Sequence, residues 1–210
     1  STKEEKEAAK EEARAKAEEA KSAIDKAASN GDVTTAKDAG VGTITPVEPK
    51  AEVKPAAKQA IEDAYNNKVA EIEKRSDLTT EEKEAAKAEA RKLADAAKVN
   101  VDKATTDAGV AVVEQQGTTN VADVDPVAKA KPAAKAAIDA ALKAQEQVID
   151  AKPDSTKEEK EAAKEEARAK AETAKEAIDK ATSNADVTAA KEAGVGTITP
   201  VEPKAEVKPA

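Results

Sequence analysis

The chain has 210 residues, a formal net charge of -8 and 37% charged side chains, with no Cys, His, Met, Trp or Phe and with Tyr65 as its one aromatic residue. Those absences exclude disulfides, thiolate nucleophiles and sulfur metal sites, imidazole bases and the usual zinc ligand, and aromatic platforms for stacking bases. The acidic balance argues against nucleic acid or an anionic membrane surface as partner.

Ala raises the apolar share to 39%, while Leu, Ile and Val stay below the roughly 20% of ordinary globular cores. Ala is the strongest helix former, so the composition predicts helices joined by thin, small-residue contacts. No run of about twenty apolar residues is present that could span a bilayer.

In chain order, Thr2-x-x-Glu5 is a capping box that opens a helix with Ala13, Ala17, Ala20, Ile24 and Ala27 on one face. Ser29-x-x-Asp32 caps a shorter helix with Val33, Ala36, Gly40 and Ile44 on one face. Gly40-Val41-Gly42 lacks the third Gly and the preceding strand of a dinucleotide motif and is read as the end of that helix. Residues 46–54 carry Pro46 and Pro49, which predict an extended connection packed through Val47 and Val53. Pro55, at the first helical position, opens a helix running to about Arg75, with a stripe of Ala57, Ile61, Ala64, Tyr65, Val69 and Ile72.

Ser76-Asp77-Leu78 interrupts the pattern, and Thr79-x-x-Glu82 caps a helix with Ala90, Ala94, Ala97, Val101 and Ala104 inward. The shorter helix that follows is less clearly marked, because Gly109 stands where an acidic cap is expected and residues 110–113 are all apolar. Lys131-Pro132 reopens the cycle. Thr156-x-x-Glu159 caps the stripe Ala167, Ala171, Ala174, Ile178 and Ala181; Ser183-x-x-Asp186 and Gly194-Val195-Gly196 follow, then a second Pro-containing connection at 200–208.

This order is a repeat. Residues 1–56 and 155–210 align without a gap and differ only at Glu19/Thr173, Ser22/Glu176, Ala28/Thr182, Gly31/Ala185, Thr35/Ala189 and Asp38/Glu192. The offset of 154 is twice 77, and a more divergent copy sits midway, with 79–87 matching 2–10 and 54–58 matching 131–135. Fixed-period similarity signals an array of small supersecondary units. The expected fold is all-α: three-helix-bundle repeats joined end to end into an elongated rod of roughly 30–40 Å per unit, with Pro-containing extended connections. The expected division is a partial repeat at 1–54, full repeats at 55–131 and 132–208, and the start of another at 209–210. The start at Ser1 and the stop at Ala210 read as the ends of an excised fragment, with targeting and anchoring signals expected outside it.

The segment Ala181-Thr182-Ser183-Asn184-Ala185-Asp186-Val187-Thr188-Ala189-Ala190-Lys191-Glu192-Ala193-Gly194-Val195-Gly196-Thr197-Ile198, with Ile178-Asp179-Lys180 before it and 156–164 upstream, resembles the signature of one repeat family, domain of unknown function 1542 (DUF1542). The resemblance extends over all three copies, most closely the first and last. It implies helical repeats of large Gram-positive cell-wall proteins, located at the extracellular cell-wall surface and associated with adhesion, aggregation and biofilm. It carries over no catalytic or binding residue.

Particular residues invite sharper readings. Glu4-Glu5 and Glu11-Glu12 form carboxylate pairs, yet beside Lys on a charged helix they read as solvated faces with i,i+4 support. Asp123-Val124-Asp125 lacks the third acidic ligand and the following Gly of a calcium loop. Tyr65, replaced by Leu142 one period on, reads as a core or core-edge residue. The Ala stripes read as burial within each bundle, with coiled-coil association between chains as the alternative. No catalytic, cofactor-binding or metal residue is expected, and no enzyme. The expected partners are the neighbouring repeats, with a host protein or homophilic contact as further candidates. The first functional reading is a stalk or spacer; the second is a helical binding module.

Overall fold

The computed structural model describes residues 1–204, and among them the chain forms eight helices and no strand: α1 (Lys3–Asp25), α2 (Asn30–Ile44), α3 (Val53–Glu73), α4 (Thr80–Lys103), α5 (Asp107–Ala122), α6 (Ala130–Asp150), α7 (Lys157–Lys180) and α8 (Asn184–Ile198). The expected start of a further repeat at 209–210 lies outside the described residues. The architecture is a tandem array of helical bundles. In its last copy α6, α7 and α8 each pack on the other two.

Local chemistry sets the helix ends. Thr2 and Thr156 close capping boxes with Glu5 and Glu159, and Thr79 does the same with Glu82. Ser29 and Ser183 cap α2 and α8 by accepting from the backbone N–H of Asp32 and Asp186. The central copy caps its short helix with Thr106, whose hydroxyl accepts from Gly109 N at 3.1 Å. Such a cap needs only the N–H of that position, so Gly serves where Asp stands elsewhere. Val110 and Val121 of α5 are buried, whereas Val112 faces solvent.

Two expectations are corrected. Pro55 and Pro132 stand at the third helical position, because α3 begins at Val53 and α6 at Ala130. A proline is tolerated there because the first four N–H groups have no partner within the helix. The Gly-x-Gly segments also do not end their helices. Both lie inside α2 and α8, and no glycine takes a positive φ among the described residues. Their role is close approach. A Cβ built on Gly40 would meet the Ala20 Cβ at 2.4 Å, one on Gly117 the Ala97 Cβ at 2.5 Å, and one on Gly194 the Ala174 Cβ at 2.5 Å.

Two compact units gather the elements. One comprises Ser1–Lys68 and Glu89–Val124, the other Val69–Ala88 and the chain from Asp125 onward, so α3 and α4 each contribute to both. In the first, Ala57 and Ile61 pack on Ala90, Ala94, Ala97 and Val101, with Val110 and Val121 completing the core. In the second, Ala134 and Ile138 pack on Ala171, Ala174 and Ile178, with Val187 and Ile198. The Pro-containing connections are non-helical; Val47 is half-buried, Val124 packs on the first core, and Val201 is buried, its carbonyl accepting from Gln145 Nε2 at 2.7 Å.

Ion pairs fix the register of the first and second helices of a repeat. Between α6 and α7 they link Lys135 to Asp179, Asp139 to Lys175 at 2.6 Å, Glu146 to Arg168 at 2.6 Å and Asp150 to Lys164 at 3.0 Å. One period earlier Lys58–Asp102, Glu62–Lys98 and Glu73–Lys87 repeat the antiparallel pattern, each within one unit. Partly exposed pairs of this kind add little stability each. Their regular spacing disfavours a slipped helix.

The glycine seam makes a prediction in which two effects compete. Gly→Ala inside a helix gains about 0.8–1 kcal/mol of propensity, whereas overpacking a core costs about 1–3 kcal/mol. Gly194→Ala therefore lowers the urea midpoint of the chain, because the added methyl meets both Ala174 and Ile138. Gly196→Ala raises it, because nothing lies within 4 Å of its added methyl.

Candidate functional site: the junction between repeats

The most developed polar site is built by the first turn of each repeat's second helix. The capping box satisfies that turn's own N–H groups, and the same residues then reach the next repeat. In the second unit, Glu82 Oε2 accepts from Thr79 N at 3.0 Å, while its Oε1 accepts from Lys129 N at 2.8 Å and Ala130 N at 3.0 Å, at the start of α6. Glu81 Oε2 accepts from Asn184 N at 3.0 Å, the first residue of α8. Thr80 N donates to the Thr182 carbonyl at 2.8 Å, and the buried Thr79 hydroxyl donates to Asn184 Oδ1 at 2.8 Å.

The first unit repeats the arrangement one period earlier. Glu5 Oε2 accepts from Thr2 N at 2.7 Å, and its Oε1 accepts from Glu52 N at 2.8 Å and Val53 N at 2.9 Å. Glu4 Oε2 accepts from Asp107 N at 3.1 Å, and Lys3 N donates to the Thr105 carbonyl at 2.8 Å. Two adjacent carboxylates thus serve three helix starts, two of them in the following repeat. A helix start carries unpaired N–H groups and a partial positive charge, and charge-assisted bonds to it are strong. The third copy, Thr156-Lys157-Glu158-Glu159, makes its own capping box at 2.8 and 3.2 Å. The positions matching Glu52 and Val53 there, 206 and 207, lie outside the described residues.

The electrostatics follow from these bonds. The N–H groups of Val53, Thr2 and Glu52 hold the Glu5 carboxyl down at about 2, from an ordinary 4.5. Burial pushes the Glu82 carboxyl upward, but the N–H groups of Thr79, Ala130 and Lys129 outweigh it, and the net shift is downward. Lys131, only 5% exposed, donates to the carbonyls of Ser76 and Asp179 at 2.8 Å each, joining the loop of one repeat to the second helix of the next. Arg75 adds a fork onto Asp77 at 2.7 Å and reaches Asp125 and the Pro126 carbonyl at 3.3 Å.

This site overturns one expectation. Glu4 and Glu5 are not simply members of a solvated face; they hold the helix starts of the following repeat, as do Glu81 and Glu82. Glu12, in contrast, makes the expected i,i+4 pair with Lys16 at 2.9 Å. The overlooked signal is that each copy places Glu at both the second and third helical positions after its Thr cap, although one carboxylate suffices for a capping box.

The other singled-out residues lie elsewhere. Tyr65 is half-buried at the edge of the first unit's core, with the Arg91 guanidinium 3.5 Å from its ring centre. Arg91 also grips Glu62 at 2.8 and 2.9 Å, and Lys98 joins them. The bonds from Arg91 and then Lys98 hold the Glu62 carboxyl at about 2. Asp123 closes the end of α5 through its backbone N–H, and Asp125 pairs with Arg75. Among the described residues no group of three or more His, Cys, Asp or Glu side chains is placed to hold a metal ion, and no helix is long and apolar enough to cross a membrane.

Two measurements check these contacts. Glu5 and Glu62 have carboxyls near 2 when folded and near 4.5 when free, so the unfolded chain binds protons first as pH falls. Their stabilisation is complete above about pH 4.5 and is lost as pH drops toward 2. An acid titration followed by circular dichroism is expected to show the urea midpoint falling through that window. Lys131→Met leaves two carbonyls without their buried donor, and denaturation should show a loss of about 2–3 kcal/mol.

Comparison with known sequences accords with this geometry. The sequence model of the family described as Domain of Unknown Function (DUF1542) matches three times, at residues 1–52, 53–129 and 130–206. No curated protein and no solved structure matches the chain. With three consecutive matches across nearly its whole length, the chain belongs to the DUF1542 family as a tandem array of its repeats.

Proposed function

We propose that this chain is a spacer: a stalk segment of an adhesin-like protein at the bacterial cell-wall surface, holding a distal binding domain away from the wall. The observation that carries this reading is the use made of polar side chains. The most elaborate hydrogen-bonding site is spent on holding the next repeat, and it recurs with the period of the array. Near-identical copies suit a role in which length matters and units can be added or removed. The expected partners are the neighbouring repeats, and the reading needs no enzyme activity and no cofactor.

A second reading, a helical binding module for a host protein or for homophilic aggregation, draws on one feature. An open groove of about 520 Å³ runs between α7 and α8, lined by Ala169, Ala177, Ala190, Ala193 and Thr197 with Glu166 and Lys170 beside them. A saturable, submicromolar partner recovered from serum and lost on Ala190→Glu favours that reading over the spacer.

Small-angle scattering tests the spacer. A compact body of this length has a radius of gyration of about 17 Å. The spacer is expected to lie well above that value, and each added 77-residue repeat should lengthen the particle by a constant roughly 30–40 Å. A radius near 17 Å, or one that fails to grow in equal steps, contradicts it.

A further inference from the structure

Gly31 stands apart from the glycines of the seam. A Cβ added at Gly40, Gly117 or Gly194 would strike a neighbouring Ala, whereas one at Gly31 meets Ser29 Oγ alone, at 3.7 Å. No described glycine has a positive φ, and the last copy places Ala185 at the matching helix position. Neither packing nor backbone geometry therefore calls for glycine at 31. What glycine alters there is the chemistry of the residue before it. Of the six asparagines in the chain, Asn30 is the one followed by Gly; the others precede Asn67, Lys68, Val101, Val121 and Ala185.

From this we infer that Asn30-Gly31 is a site of spontaneous covalent modification, deamidation through a cyclic imide. The backbone nitrogen of Gly31 attacks Asn30 Cγ as its proton passes to solvent base. The Cγ–Nδ2 bond breaks, and ammonia leaves. Water then opens the ring. Hydrolysis at Cγ gives aspartate; hydrolysis at the main-chain carbonyl leaves the chain running through Cγ, as isoaspartate. The position favours the attack. Asn30 and Gly31 are the first two residues of α2, and helix ends fray most readily. The Ser29 cap accepts from Asp32 N at 3.2 Å and Val33 N at 3.0 Å, so the Gly31 nitrogen lies outside it. Glycine has no Cβ to crowd the ring and loosens the helical turn relative to Ala. Both residues are exposed, and so are Asn184 and Ala185, which follow a complete repeat. Access is thus a property of the position within the repeat.

The two products differ in effect. Asp107 opens α5 at the same repeat position, beneath its Thr106 cap, so aspartate is compatible with this helix start. Isoaspartate instead inserts a methylene into the main chain between Ser29 and the N–H groups that it caps. That displaces the Ser29 oxygens from Asp32 and Val33 and loosens the start of α2 as the molecule ages. The inference does not rest on the spacer reading, so a compact scattering profile would leave it standing.

The test incubates the full chain in warm, mildly alkaline buffer and follows each asparagine by peptide mapping and mass spectrometry. Asn30 is expected to convert at least tenfold faster than Asn184, with isoaspartate among the products. Gly31→Ala should bring it down to the Asn184 rate. Conversion of Asn30 no faster than Asn184 overturns the inference, and so does conversion indifferent to Gly31→Ala. Amide hydrogen exchange reads the consequence. In the isoaspartate form the Val33 amide should exchange at least tenfold faster than in the fresh chain, while Asn30→Asp keeps the fresh rate. Equal protection of Val33 in the isoaspartate form and the fresh chain overturns the loosening of α2.

Discussion

A helix start leaves backbone N–H groups without partners, and an array of short bundles multiplies that problem at every junction. Here the solution is a pair of neighbouring glutamates behind a threonine cap. One carboxylate closes its own helix and the first helix of the next repeat; the other closes the third helix of the next repeat. Because the acceptors are charged and the donors are backbone, the link does not depend on which side chains occupy the receiving positions. Val53 and Ala130, or Asp107 and Asn184, are held alike. That tolerance lets a divergent central copy sit between two nearly identical ones.

Within a bundle the constraint is thinness. With so few large aliphatic residues, the core is made by bringing backbones close, Gly opposite Ala at each period, with a few Ile and Val side chains among the Ala. Such seams bury limited apolar area per residue. The antiparallel ion-pair ladder complements this economy. Small smooth surfaces slide easily against one another, and charges at fixed intervals make one register better than its neighbours.

Much of the fold was legible because it rests on local rules. The Thr and Ser caps and the Ala stripes of α4 and α7 follow from capping and periodicity, and the structure caps helices at Thr2, Ser29, Thr156 and Ser183 and buries Ala90, Ala94, Ala97, Ala167, Ala171 and Ala174. Two features were not legible because their causes are non-local. Gly40 and Gly194 read as helix ends, since sequence shows a flexible residue but not the neighbouring Ala that requires it. Glu4 and Glu5 read as solvated, since their acceptor role depends on N–H groups about 50 and 100 residues further along the chain. Both are recoverable from the repeat. A residue type kept at the same offset in all three copies, where a solvated face would accept several, points to a contact beyond its own helix.

The central claim is that the Glu81 and Glu82 carboxylates hold the helix starts of the following repeat, and amide hydrogen exchange read residue by residue tests it most directly. In the Glu81→Ala/Glu82→Ala chain, the amides of Lys129, Ala130 and Asn184 should exchange at least about tenfold faster than in the parent, while Ile178 within α7 keeps its rate. Unchanged exchange at those three amides would contradict the account, because their protection would then come from something other than the carboxylates.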